Sequence, residues 1–166
     1  MPAVDASRSI VPRLSRFSWL MGLYAENYER LDQLFQPGKL AVGTYLSRVP
    51  DGLELLVEVL ALHPYTVEMR LSYRMCDPQT GQPDPSAYVR LYLDARQAEV
   101  THCYVGRHWQ DVLGMRPSVQ VVLNHRLRMN SFLSKWLDYL GAQGHGANGL
   151  LALAAEPAGE QDAACA

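Results

Sequence analysis

The chain has 166 residues, 48% of them hydrophobic, which is enough apolar material for one contiguous core and makes one domain the economical reading. The formal net charge is -2, and setting aside the C-terminal Glu156, Glu160 and Asp162 leaves the rest at +1, a balance that argues against binding nucleic acid or anionic membrane by bulk charge. Only Lys39 and Lys135 are lysines, and the arginine preference by itself identifies no partner. Cys76, Cys103 and Cys165 show no framework or CxxC spacing, which fits a reducing compartment. No stretch approaches the ~20 apolar residues of a membrane helix. Arg13, Arg16 and the apolar run from Phe17 to Ala25 lack a cleavage site and continue into Glu26 and Glu29, so a secretion signal is not read here.

Residues 1–12 read as a flexible leader. From Arg13 the apolar residues Leu14, Phe17, Met21, Tyr24, Tyr28, Leu31 and Phe35 recur in steps of three and four, which predicts a helix over 13–35 ended by Pro37 and Gly38. Strands are expected over 40–49 and 53–62, separated by the turn Pro50, Asp51, Gly52. Residues 65–75 then alternate strictly, Val67, Met69, Leu71 and Tyr73 against Glu68, Arg70, Ser72 and Arg74, as one strand of an antiparallel sheet with one buried and one wet face. Residues 77–85 hold three prolines and a glycine and read as a loop. Strands over 88–93 and 98–104 form a tight hairpin around Ala95 and Arg96, and 106–117 is irregular. A second helix starts at the N-cap Ser118 and ends near Leu140 with Gly141 as its cap; Trp19 and Trp136 are assigned to core packing. Residues 142–166 are read as a mostly disordered Gly/Ala-rich tail. The fold expected for 13–141 is α+β, a two-layer domain whose antiparallel sheet of four to five strands is covered on one face by an N-terminal and a C-terminal helix.

Three segments carry a resemblance: VRLYLDARQAEV over 89–100, NSFLSKWLDY over 130–139 and ENYERL over 26–31. They resemble the YqiB-like proteins, a bacterial family known only as a domain of unknown function, over about residues 17 to 145. The resemblance implies a cytoplasmic proteobacterial protein and brings no cofactor and no catalytic residues.

The polar side chains of the hairpin are the first candidate site. On a two-residue loop, Tyr92 faces Glu99 and Arg90 faces Thr101, so Arg90, Tyr92, Asp94 and Glu99, joined by Arg70 and Arg74, make a polar patch on the uncovered sheet face. The leading reading is a non-enzymatic binding or adaptor module that engages a protein or a small anionic ligand there; the plainer reading is a solvated face with cross-strand charge pairs. A second candidate, in the class of RNA-associated proteins, uses Arg107, Trp109, Arg116, Arg126 and Arg128, cations with an aromatic around the start of the last helix. A third, a small hydrolase or transferase, would use Asp94, Glu99 and His102 and needs a pocket at the hairpin. No metal set is read: His102 and Cys103 are adjacent on a strand and point apart, and His108, Cys76 and His125 do not supply ligand spacing. GHGANG over 144–149 spells a phosphate-loop pattern, but a helix precedes it where a strand is required.

Overall fold

The computed structural model describes residues 15–81, 83–104 and 117–154. The predicted leader, the loop residues Arg107, His108, Trp109 and Arg116, and the chain beyond residue 154 lie outside the described residues. Helix α1 spans Arg16–Phe35, and the strands β1 (Gly43–Ser47), β2 (Leu55–His63), β3 (Thr66–Tyr73), β4 (Ser86–Tyr92) and β5 (Gln97–Tyr104) follow. Helix α2 (Val119–Gln143) and a short strand β6 (Leu150–Ala152) complete the described chain. The result is the expected α+β architecture with six strands rather than four to five, in the order β5-β4-β3-β2-β1-β6, every neighbouring pair antiparallel.

The extra strand comes from the segment read as tail. Helix α2 does not stop at Gly141 but runs to Gln143, where Gly144 takes a left-handed conformation (φ 93°) and donates its N–H back to Gly141 and Leu140. That conformation suits a residue without Cβ. The chain then turns and lays Leu150–Ala152 against Ser47–Tyr45 of β1.

One sheet face carries the core. Val57, Val59, Val67, Met69, Leu71, Val89, Leu91, Ala98 and Val100 point to it, and Leu31 and Phe35 of α1 with Leu133, Trp136, Leu137 and Leu140 of α2 close over them. The alternation in β3 predicts this division. Trp136 is buried as expected, donating from Nε1 to the Tyr73 hydroxyl at 3.1 Å. Trp19 is not: it is 54% exposed, and Phe17 is 61% exposed. The reason is that the first half of α1 lies against α2 rather than the sheet, so Leu20, Leu23 and Tyr24 turn inward to meet Leu127. The paired residues ascend together along both helices, Arg16 with Asn124, Asn27 with Asn130 and Arg30 with Ser134, so α1 and α2 run parallel. No helix among the described residues is long and apolar enough to cross a membrane.

An outermost strand leaves half its backbone groups without a sheet partner, and a buried N–H in that state is costly. At β5 the fully buried Asn130 of α2 meets that need: its Oδ1 accepts the Val100 N–H at 3.0 Å and its Nδ2 donates to the Arg126 carbonyl at 2.9 Å. Asn27, also fully buried, donates from Nδ2 to the Asn130 carbonyl at 3.1 Å. One side chain thus fixes α2 on the sheet edge, and the next fixes α1 on α2. Replacing Asn130 by Ala orphans the Val100 N–H, and we expect it to lower the unfolding free energy by about 1–3 kcal/mol in urea denaturation. A loss below about 0.5 kcal/mol, the ordinary range of a surface substitution, would contradict this role.

Candidate functional site

The hairpin patch is built differently from its prediction. The connection between β4 and β5 has four residues, 93–96, so Tyr92 pairs with Gln97 and Arg90 pairs with Glu99. The shift is by two positions, which keeps each side chain on its predicted face. Two contacts select the longer loop. Asp94 accepts the Ala95 N–H at 2.9 Å, and Arg96, in a left-handed conformation (φ 51°), donates to Glu29 of α1 at 2.6 Å and stacks over Tyr28 at 5.2 Å.

On the uncovered face the polar side chains form two cross-strand rows. In one, Glu58, Arg70, Tyr88 and His102 occupy consecutive paired positions of β2 to β5. Arg70 chelates the Glu58 carboxylate through Nε and through Nη2 (2.8 Å), and Nη1 donates to the Tyr88 hydroxyl at 3.2 Å. Burial disfavours the Arg70 charge, yet the Glu58 bonds hold its pKa above the ordinary value. In the other row Arg90 donates to Glu68 at 3.1 Å, and Tyr92 donates its hydroxyl proton to Glu99 at 2.8 Å. Glu99 also takes Arg126 of α2 at 3.3 Å, and Arg126 in turn hydrogen-bonds Tyr24 of α1. Arg70, Arg90 and Arg126 therefore each face a carboxylate of the same molecule. The exposed pairs contribute about 0–1 kcal/mol each, whereas Glu58, with a side chain only 10% exposed, depends on its partner.

The six residues of the first candidate do not form one patch. Arg70, Arg90, Tyr92 and Glu99 share the face, Asp94 belongs to the turn, and Arg74 lies past the far end of β3 beside Glu54 at 3.4 Å. Neither do the residues of the third candidate converge. His102 is exposed and packs edge-on to Tyr88, Glu99 is engaged by Arg126 and Tyr92, and Asp94 closes the turn. A bulge opposite Tyr88 and Val89 falls between Val100 and His102, but it leaves Cys103 in the core and His102 outside. Burial pushes the Cys103 thiol up to about 12, which keeps it protonated and poorly nucleophilic. Among the described residues no three His, Cys, Asp or Glu side chains gather as a metal site would require. The GHGANG segment begins at the end of α2 and leads into β6, so no helix N-terminus faces it.

Sequence reasoning missed the groove between the two helices. It is an open depression of about 650 Å³ lined by Arg16 and Trp19 from α1 and by Asn124, Arg128, Phe132 and Lys135 from α2, with no carboxylate among the described residues of its lining. Arg16 is oriented by donating to Asn124 Oδ1 at 2.7 Å. Arg128 and Lys135 are exposed on α2. Of the second candidate, Arg126 belongs to the sheet-edge network and Arg128 to this groove; Arg107, Trp109 and Arg116 lie outside the described residues. A usable signal was present in the sequence: residues 16–25 and 119–135 contain Arg16, Arg126, Arg128 and Lys135 and not one Asp or Glu.

A smaller cavity of about 230 Å³, lined by Asp51, Leu53, Tyr73, Tyr139, Gln143 and His145, lies at the other end of α2. His145 is 5% exposed, its Nδ1 is 2.7 Å from the Ser47 hydroxyl, and Ser47 is itself buried, so the pair ties the C-terminal turn to β1 rather than presenting a nucleophile. Burial lowers the His145 pKa, against the opposing effect of a hydrogen bond to the backbone of Leu53. A depressed folded-state pKa means the unfolded chain takes up the proton first, so stability is full above the ordinary histidine value and falls as pH drops through it toward the folded value. Chemical denaturation between pH 8 and 5 should show this decline, and His145→Ala should flatten it in part, the remainder coming from His125, whose pKa is also depressed, by burial and by Arg126 and Arg128. A wild-type slope retained in full by His145→Ala would contradict the assignment.

No curated protein and no solved structure is detectably similar to this chain. A family model described as a protein of unknown function, DUF1249, matches residues 30–146, from the second half of α1 through α2. Arg16 and Trp19 of the groove precede that match. The chain belongs to the DUF1249 family of proteins of unknown function.

Proposed function

We propose that this protein is a binding module for an anionic ligand and that the ligand sits in the groove between α1 and α2. The observation that carries the reading is the contrast between its two cationic surfaces. Arg70 and Arg90 on the sheet face are each paired with a carboxylate across a strand, so an incoming anion would have to displace Glu58 or Glu68. Arg16, Arg128 and Lys135 line a groove of about 650 Å³ with no carboxylate among its described lining residues, and Arg16 there donates to the neutral Asn124 amide, so an anion displaces no acidic partner among the described residues.

The second reading keeps the sheet face as the docking surface for a protein or a small anionic ligand. It is favoured by Tyr88, which lies beside Arg70 on that face, is 37% exposed and so offers an aromatic surface among the charges.

Calorimetric titration with inorganic tripolyphosphate separates the two. Arg128→Ser with Lys135→Ser should weaken binding at least about tenfold, as expected for the loss of two charge-assisted contacts. Arg90→Ser should leave it within about twofold, since this side chain is spent on Glu68. Loss of binding in Arg90→Ser with the groove variant unaffected would transfer the site to the sheet face, and no binding by the wild-type protein would end the proposal.

A further inference from the structure

Resting on the groove reading, we propose that the ligand is a short stretch of single-stranded nucleic acid, held by phosphates on Arg128 and Lys135 and by a base stacked on Trp19. Cations alone would suit any polyanion. The groove adds an aromatic ring: Trp19 stands in its wall and is 54% exposed. Trp136, by contrast, is in the core. A large indole left in water beside cations is the combination that single-strand binders use, because every base offers a π-face while the phosphates meet the charges.

The spacing agrees. Arg128 and Lys135 are seven residues apart on one helix face, about 10 Å along its axis, with Ser131 and Phe132 between them. Two cations at that separation suit successive phosphates of an extended strand, whereas a tripolyphosphate meets them only through its two ends. Arg16 and Asn124, already joined at 2.7 Å, present a guanidinium and an amide at the other end of the groove. The near-neutral net charge does not oppose this, because the carboxylates are segregated: neither 16–25 nor 119–135 contains one.

Fluorescence anisotropy with a labelled decauridylate, against uridine monophosphate and inorganic tripolyphosphate as competitors, tests the inference on the full chain. The decamer should bind at least tenfold more tightly than tripolyphosphate. Trp19→Ala should weaken the decamer about tenfold and leave tripolyphosphate unchanged, while Trp19→Phe, which keeps a stacking ring, should recover most of the affinity. The logarithmic salt dependence should have a slope of about -2 for three cationic contacts, reduced in Arg128→Ser with Lys135→Ser. Tripolyphosphate binding without a preference for the decamer, or a decamer affinity indifferent to Trp19→Ala, would overturn the nucleic-acid inference and leave the anion-binding reading standing. Uridine monophosphate binding as tightly as the decamer would make a free nucleotide the ligand and equally overturn it. Failure of all three ligands would remove the underlying reading as well.

Discussion

The structure depends on how the exposed edge of β5 is closed. Five strands follow one another as a meander from β1 to β5, and among the described residues the last has one strand neighbour, β4. Asn130 supplies the missing acceptor to Val100 from the middle of α2, and Asn27 of α1 reaches the Asn130 carbonyl, so edge, second helix and first helix are linked through two buried amides. Buried amides are tolerated when bonded and penalised when not: Asn130 is bonded at both its amide atoms, whereas Asn27 is bonded through Nδ2 and its buried Oδ1 has no hydrogen-bond partner among the described residues. Around it, Arg30 of α1 reaches the Ser134 carbonyl (2.9 Å) and the Asp138 carboxylate (3.1 Å) of α2, and Arg96 of the hairpin reaches Glu29.

That fastening accounts for the polar residues in the three segments that resemble one family. Arg96 and the Val100 backbone of the hairpin, Asn130 and Asp138 of the last helix, and Asn27, Glu29 and Arg30 of the first are ends of the same contacts. Polar side chains that look out of place on an amphipathic strand are explained by the neighbours they meet at its edge. It also accounts for the groove. With the second half of α1 bound to the sheet and its first half bound to α2, no described strand covers the outer sides of both helices near their N-termini, and there Arg16, Trp19, Arg128 and Lys135 come together.

Much of the fold was legible in the sequence, for identifiable reasons. The strict alternation of β3 fixed which face is buried, and Ser118 and the Pro37-Gly38 pair marked helix limits to within a few residues of those observed. Three features were not legible. Gly141 and Gly144 are equivalent as sequence signals, and only the turn back to β1 selects Gly144. The hairpin connection is fixed by Arg96 meeting Glu29 and Tyr28 from a distant helix, which no local turn rule contains. The inward phase of α1 includes Asn27 and excludes Phe17, because its partner changes from sheet to helix along its length. Of the first candidate's residues, Arg70, Arg90, Tyr92 and Glu99 share one face while Asp94 and Arg74 do not, and the mutual pairing of the charges required the register of Glu58 with Arg70 and Glu68 with Arg90. The groove required knowing that the two helices lie side by side.

The division of labour between paired and unpaired cations is the centre of the account, and mapping ligand contacts residue by residue tests it most directly. In a ¹⁵N-labelled sample titrated with tripolyphosphate, the account predicts amide shifts concentrated at Arg128, Ser131, Phe132 and Lys135, together with movement of the Trp19 indole resonance. Shifts centred instead on Arg70, Tyr88 and Arg90, with the helix groove silent, would contradict it.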